Sequence, residues 1–136
     1  MQHRRDFIKV LSIGGIGLMT PLPLRSKAFN NKKQGTLKFG LCADVHKDIM
    51  HDADQRMQAF VSEATEKNLD FIIQLGDFCR PYEYNLEFMS IWNSFPGKKY
   101  HVLGNHDMDG GFTREQVVDY WNAAGRYYSF DCKGFH

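Results

Sequence analysis

Cysteine is scarce in this 136-residue sequence, which contains only Cys42, Cys79 and Cys132. Three widely spaced cysteines are too few for a disulfide framework, and they lack the paired spacing of a zinc ribbon. The sequence therefore excludes both architectures. We expect the three side chains to act as small buried apolar groups, although an exported protein could form one disulfide from them.

An excess of charge is also missing, because the formal net charge is +1. Residues 1–33 hold seven Lys or Arg and one acidic residue, and the rest of the chain holds ten basic and fifteen acidic residues. A nucleic-acid-binding surface needs a basic patch, so we expect none in the folded part. The overall hydrophobic content of 43% suits one globular domain.

Long apolar runs are missing as well, and a mild, glycine-interrupted run spans residues 10–19. A membrane-spanning helix needs about 20 apolar residues, so we expect no stable membrane span. The run follows Arg4-Arg5 and precedes small residues at Ala28, the order found in secretory signals of the twin-arginine type. We predict a signal peptide over 1–28, recognised by the twin-arginine export machinery. The protein would be periplasmic or extracellular, or membrane-anchored if the signal is not cleaved.

A polar linker (29–35) and a folded domain (36–136) are predicted to follow. Apolar runs without proline predict strands, and apolar stripes at helical spacing predict helices. In chain order these are strand 37–43, helix 51–67, strand 70–75, helix 83–95, strand 99–103, helix 113–124 and strand 127–130. Asp52 and Thr113 are expected to begin two of the helices, each in a capping box with a glutamine three residues later. The alternation predicts an α/β fold of βαβ units with parallel strands.

Each of the first three predicted strands ends in a polar cluster. Parallel strands present their carboxyl ends at one edge of the sheet, where open α/β folds bind ligands. The clusters bring six side chains to that edge: Asp44, His46, Asp77, Asn105, His106 and Asp107. Carboxylate, imidazole and amide groups favour Mn, Fe or Zn. Asp77 stands alone after the middle strand and could bridge two ions, which could then clamp the oxygens of an in-line displacement.

These strand ends resemble the calcineurin-like (purple-acid-phosphatase-like) metallophosphoesterase superfamily in three motifs: Asp44-x-His46, Gly76-Asp77 and Gly104-Asn105-His106-Asp107. The resemblance implies hydrolysis of phosphate mono- or diesters at a dinuclear centre of divalent or trivalent ions, with metal-bound hydroxide as the nucleophile. It also implies that Asp44 and His46 bind the first metal, that Asp77 bridges the two, and that Asn105 binds the second.

The same resemblance gives His106 a role as general acid toward the leaving group, or as a stabiliser of the transferring phosphoryl group, with Asp107 orienting its ring. The superfamily fold is a four-layer α/β/β/α sandwich, and residues 36–136 would form its N-terminal βαβαβ half. The superfamily's other histidine ligands lie in Gly-His and Gly-His-x-His motifs, and the sequence contains neither. We therefore expect an apparently truncated enzyme that lacks full two-metal activity.

Two other interpretations compete with a phosphoesterase. A degenerate site would make the chain a non-catalytic metal-binding or interaction domain, although the intact Asn105-His106-Asp107 triplet argues against it. The other interpretation is an ordinary α/β domain whose polar loops bind nothing. It would require three strand ends to carry such clusters by coincidence.

Arg80 could face a substrate or form a surface salt bridge, and His101 is expected to pack within its strand.

Overall fold

The computed structural model describes residues 35–136. The described residues form three strands, β1 (Phe39–Cys42), β2 (Phe71–Gln74) and β3 (Lys98–His101), and three α-helices, α1 (Ala53–Glu66), α2 (Leu86–Asn93) and α3 (Arg114–Trp121). Short 3-10 turns, Glu83–Asn85 and His106–Met108, precede α2 and α3. The predicted alternation, and with it the α/β class, is confirmed. The helices of residues 35–136 are all too short or too polar to cross a membrane. The predicted signal peptide lies outside the described residues.

The three strands form one parallel sheet in the order β1-β2-β3. Phe39 pairs with Phe71, which pairs in turn with Lys98, and the register continues to the last residue of each strand. Because the strands are parallel and in register, all three carboxyl ends lie at the same edge. The loops that leave this edge carry the predicted polar clusters.

One face of the sheet is covered by the helices. A Cβ at Gly40 of β1 would lie 3.0 Å from the Phe60 ring, so α1 packs closely over this strand. Phe60 stacks on Trp92 of α2 at 6.3 Å, and Phe78, just past β2, packs against Trp92 and Trp121. Burial of each large apolar side chain contributes about 1.5–3 kcal/mol, which makes this aromatic layer the main core.

The opposite face carries the alternate residues of the same strands. We call it the open face, and it consists of Phe39, Leu41, Phe71, Ile73 and Tyr100. Phe130 covers part of it by stacking on Tyr100 at 3.6 Å. Phe39 and Leu41 are each 51% exposed. Parallel strands usually have both faces buried, so this face is incompletely covered within residues 35–136.

His101, the last residue of β3, packs in the core as expected. Trp92 donates its indole N–H to His101 Nε2 at 3.2 Å, and the Gln74 amide nitrogen lies 3.2 Å from Nδ1. Trp121 stacks on the ring at 5.3 Å. Burial, aided by the charge of Lys99, lowers the pKa of this imidazole to about 4. The ring is therefore neutral at pH 7.

Residues 127–130 do not form the predicted strand. The Tyr128 hydroxyl meets the edge of β3, accepting from the His101 N–H and donating to the His101 carbonyl at 2.7 Å each. Phe130 packs on the open face instead of pairing through its backbone. The alternating aromatic pattern reflects side-chain packing, and the prediction of a strand is wrong.

One of the two predicted capping boxes is present. Thr113 accepts from the Gln116 N–H at 3.2 Å, and its own N–H donates to the Gln116 side chain at 2.8 Å. Asp52 precedes α1 but makes no cap hydrogen bond with its side chain. Asp52 therefore begins α1 as predicted, but the predicted capping box with Gln55 is absent.

The three cysteines all lie among the described residues and are free thiols. Cys79 is buried, whereas Cys42 and Cys132 are half-buried. Burial raises the pKa of Cys42 to about 12, so this thiol stays protonated and unreactive. They behave as small packed side chains, and the disulfide that export would permit is not formed.

Candidate metal centre

Asp44 and His46 follow β1, Asp77 follows β2, and the structure brings the three side chains together. One possible ligand atom from each lies within 4.8 Å of the other two. His46 Nε2 is 3.7 Å from Asp77 Oδ2. Asp44 is exposed, while His46 and Asp77 are half-buried. The metal cluster, as we call these three residues, is therefore open to solvent at the carboxyl edge of the sheet.

All three residues of the metal cluster have a left-handed backbone, with φ values of 53° at Asp44, 49° at His46 and 51° at Asp77. Such a conformation costs about 1–3 kcal/mol at a non-glycine residue and persists only where surrounding contacts enforce it. Here the His46 N–H donates to the Asp77 carbonyl at 2.8 Å, and the Lys47 N–H donates to the Phe78 carbonyl at 3.0 Å. The two loops therefore hold each other in the shape that assembles the metal cluster.

Two glycines let the loop after β3 approach the loop after β2. Gly76 has a φ of 97°, and a Cβ there would lie 2.6 Å from the Cα of Gly104. A Cβ at Gly104 would overlap both the amide nitrogen and the carboxylate of Asp77. Any side chain at either position would move the third loop away from Asp77.

Asp107 is buried and binds backbone groups. Its carboxylate accepts hydrogen bonds from the N–H groups of Asp77 at 2.9 Å, Phe78 at 2.7 Å and Gly104 at 2.8 Å. Burial raises the pKa of this carboxyl, and the three N–H donors oppose that shift. Asp107 thus ties the loops after β2 and β3 together. The expectation that it orients the His106 ring is wrong, because backbone donors take up both of its oxygens.

The carboxylate that meets the His106 ring belongs to Asp109. Its Oδ2 lies 2.9 Å from His106 Nδ1 and 3.2 Å from Arg80 Nη2. The contact with Asp109 raises the pKa of the His106 imidazole. The His106 N–H donates to Asp77 Oδ1 at 2.9 Å, and the ring lies 5.4 Å from that of His46. The imidazole is therefore fixed beside the metal cluster.

Asp109 was not predicted as the partner of His106, because the sequence Asp107-Met108-Asp109 places two carboxylates close to the histidine. The choice between them depends on the 3-10 turn at His106–Met108. Such a turn has three residues per repeat, so a residue at i+3 returns to the side of residue i. The spacing of His106 and Asp109 was the available signal, and it became informative only with the turn.

A cleft beside the metal cluster is lined by side chains that include His46, Asp48, Asp77, Arg80 and His106. Arg80 both faces this cleft and pairs with Asp109, so the structure combines the two alternatives left open for it. Asn105 is exposed at the start of the 3-10 turn. Its role as a ligand stays a prediction.

The donor set of the metal cluster fits a divalent cation. Two carboxylates and one imidazole are ligands that Mn, Fe and Zn accept. A centre with three protein ligands and open positions is typical of catalytic rather than structural metals. Asp44, His46 and Asp77 could therefore hold one ion whose remaining coordination positions are open to solvent.

The chain is similar to known proteins in its sequence and in its fold. The sequence profile of the calcineurin-like phosphoesterases matches residues 37–135. The fold is similar to that of a dimetal phosphatase from Danio rerio, with a TM-score of 0.50 and 19% sequence identity. The matched region covers 61% of this chain and 33% of that one, so it spans about a third of the relative's length. No curated protein matches the chain significantly.

Proposed function

The chain belongs to the calcineurin-like phosphoesterase family, and from that premise we propose that it forms the metal-binding strand ends of an enzyme that hydrolyses phosphate mono- or diesters. The observation that carries the proposal is the metal cluster of Asp44, His46 and Asp77 next to the His106 ring. Membership of the family supports divalent metal ions as cofactors and phosphoester bonds as the target.

We infer a dinuclear centre in which Asp44 and His46 would hold one ion, Asp77 would serve both, and Asn105 would hold the other. When bound, two such ions would polarise a phosphoryl oxygen and supply a nucleophile at neutral pH. Four protein side chains do not fill the coordination shells of two ions, each of which takes four or more ligands. Water molecules and substrate oxygens would occupy positions that these side chains leave open.

The residues around the cleft have separate tasks in this proposal. His106 Nδ1 is occupied by Asp109, which leaves Nε2 as the nitrogen that donates a proton to the leaving oxygen. Arg80 offers a guanidinium that matches the oxygens of a phosphoryl group. Asp107 contacts neither the leaving oxygen nor the phosphoryl group in this proposal, because its carboxylate holds the loops that carry Asp77 and His106.

Metal content and turnover of the full chain test the proposal together. The chain is loaded with Mn or Zn and assayed with p-nitrophenyl phosphate and bis(p-nitrophenyl) phosphate. We expect Asp77→Asn to lower bound metal about tenfold or more, and His106→Ala to keep the metal but lose turnover. Asp131→Asn, an exposed carboxylate that pairs with His136, is the matched control. Failure of the wild-type chain to bind metal would refute the proposal, and metal binding without hydrolysis of either ester would favour a non-catalytic domain.

We also propose that residues 1–28 direct the domain at 36–136 out of the cytoplasm through the twin-arginine route. The support is the Arg4-Arg5 pair ahead of a weak apolar run and a small-residue site at Ala28. Replacing both arginines with lysine should retain the protein in the cytoplasmic fraction of a bacterial host. Equal export of the wild-type and Lys-Lys forms would contradict this route.

A further inference from the structure

Tyr82 and Tyr84 form a stacked pair next to the cleft. Their ring centroids are 5.0 Å apart with an angle of 16° between the planes, and Phe112 packs edge-on against Tyr82 at 5.0 Å. Tyr84 is 66% exposed although its ring is stacked on Tyr82. One face of its ring lies on Tyr82, and the other faces solvent.

Two contacts fix the tyrosine pair against the residues of the cleft. The Tyr84 hydroxyl donates to Asp48 Oδ1 at 3.0 Å, and Asp48 lines the cleft together with His106. The Tyr82 hydroxyl abuts Gly110, where any Cβ would overlap it, and Gly110 belongs to the same loop as His106. The exposed ring therefore has a defined position beside Asp48, at the margin of the cleft.

The Asp48 carboxylate is held by further hydrogen bonds, so its bond to the Tyr84 hydroxyl fixes the position of that ring. Its Oδ2 accepts from the Arg80 N–H at 2.8 Å, and its Oδ1 also accepts from the Asn85 side chain at 2.8 Å. Asn85 is buried, so this carboxylate is anchored to the protein interior. A ring ordered in this way loses little conformational freedom when a ligand binds.

We propose that Tyr84 is the stacking surface for a planar aromatic leaving group, an aryl ring or a nucleobase, of the ester hydrolysed in the cleft. The inference rests on the proposed phosphoesterase function and adds a substrate class to it. Stacked aromatic pairs are stabilised beyond the area that they bury, whereas an aliphatic leaving group gains only contact with the ring. Tyr84 would thus favour aromatic over aliphatic phosphate esters.

The test compares three esters in the metal-loaded full chain: phenyl phosphate, adenosine 5′-monophosphate and glycerol 3-phosphate. In Tyr84→Ala we expect the ratio of the KM for phenyl phosphate to the KM for glycerol 3-phosphate to rise about three- to tenfold, the range of one aromatic pair. Tyr84→Phe keeps the ring and loses only the bond to Asp48, so its ratio should rise much less than that of Tyr84→Ala. If the KM for the nucleotide also rises relative to that for glycerol 3-phosphate, the site accepts a nucleobase. If only the KM for phenyl phosphate rises, the site accepts an aryl group.

Tyr127→Ala is the matched control, because Tyr127 is 85% exposed and lies under the Arg126 guanidinium at 5.8 Å. Its KM ratio should equal that of the wild type. The inference would be overturned if, in Tyr84→Ala, the KM rose relative to that for glycerol 3-phosphate for neither phenyl phosphate nor the nucleotide. An equal rise in Tyr84→Phe would also overturn it, since the hydroxyl would then be the determinant.

Direct binding separates failure of this inference from failure of the proposed function. If the wild-type chain hydrolyses none of the esters, the phosphoesterase proposal fails, and the Tyr84 ring is followed by NMR during titration of the zinc-loaded chain. Phenyl phosphate should shift the Tyr84 ring protons, assigned by their loss in Tyr84→Ala, and glycerol 3-phosphate should not. Equal shifts with both ligands, or none with either, would overturn the stacking site.

Discussion

The carboxylate of Asp109 is shared between two groups that face the substrate in the proposed reaction. One oxygen contacts both His106 Nδ1 and Arg80 Nη2. Removing its charge would leave the imidazole free to turn and the guanidinium free to swing out of the cleft. Asp109 is thus a positioning residue, because it acts through His106 and Arg80.

For Asp109→Asn we expect kcat to fall about tenfold in the metal-loaded chain, with a smaller change in KM, since the lost carboxylate orients a group needed in the transition state. Asp109→Glu should recover part of the loss. Steady-state kinetics on p-nitrophenyl phosphate provide both constants. A pure rise in KM would show instead that Asp109 serves substrate binding.

The stability of the fold should depend on pH through His101. Its pKa is about 4 in the folded chain, below its ordinary value of 6.5. As the pH falls, His101 therefore binds a proton in the unfolded chain before it does so in the folded chain. The contribution of His101 to the free energy of unfolding is fully present above pH 6.5 and is lost between pH 6.5 and 4. The shift corresponds to about 3 kcal/mol of the free energy of unfolding.

Urea denaturation at several pH values measures this effect. His101→Gln keeps a polar group facing Trp92 but removes the titration, so its free energy of unfolding should fall less between pH 6.5 and 4. The difference between the two proteins isolates His101 from the carboxylates, whose titration both share. Identical slopes would contradict the assignment.

At the scale of the secondary-structure elements, the close approach of the loops after β2 and β3 leads to a prediction about Gly104. A Cβ at this position has no space beside Asp77. We expect Gly104→Ala to lower the free energy of unfolding by about 3 kcal/mol, as overpacked buried sites do, and to weaken metal binding.

Gly111→Ala provides the control for that substitution. Its φ is 89°, but a Cβ there would meet no atom within 4 Å. It should therefore cost about 1 kcal/mol from backbone strain alone. Thermal denaturation and zinc titration of both variants measure the two effects. Equal metal affinity in Gly104→Ala and wild type would mean that the third loop does not shape the centre.

The elements also show where sequence patterns are sufficient and where they fail. Apolar periodicity located the three strands and three helices, because each has one face against a common core. The same reasoning failed at 127–130, where Tyr128 and Phe130 pack on the sheet through their side chains. At Asp52 it located the start of α1 but not the capping geometry, because the backbone there (φ −100°, ψ 8°) is not the extended conformation typical of an N-cap residue.

For the whole molecule, the open face has a measurable effect on solubility. Leu41 is half exposed on an apolar surface that includes Phe39 and Tyr100, and exposed apolar patches promote association. We expect Leu41→Lys to reduce binding of an apolar fluorescent dye and to raise solubility, with a change in the free energy of unfolding of about 0.5 kcal/mol or less. Leu86→Lys, an exposed leucine on α2, is the control. Equal dye binding by the wild type and Leu41→Lys would show that the patch is covered in solution.

The location of the metal cluster could be predicted from the sequence, because the topology of the whole sheet places the carboxyl ends of three parallel strands at one edge. Asp44, His46 and Asp77 meet there for that reason. The sequence did not predict that Asp107 binds backbone N–H groups while Asp109 contacts the His106 ring, because this depends on which carboxylate is buried among backbone amides. Such burial is set by the fit of one loop to another, which no periodic pattern encodes.

The left-handed backbone at Asp44, His46 and Asp77 has a consequence for how this sequence can evolve. Glycine would adopt the same conformation without strain at each position, and asparagine with little. At Asp77 the hydrogen bond from the His106 N–H also opposes such a replacement, whereas at Asp44 and His46 the opposing force is selection for the ligands. A lineage that no longer needed the metal would therefore drift toward glycine or asparagine at Asp44 and His46 before Asp77.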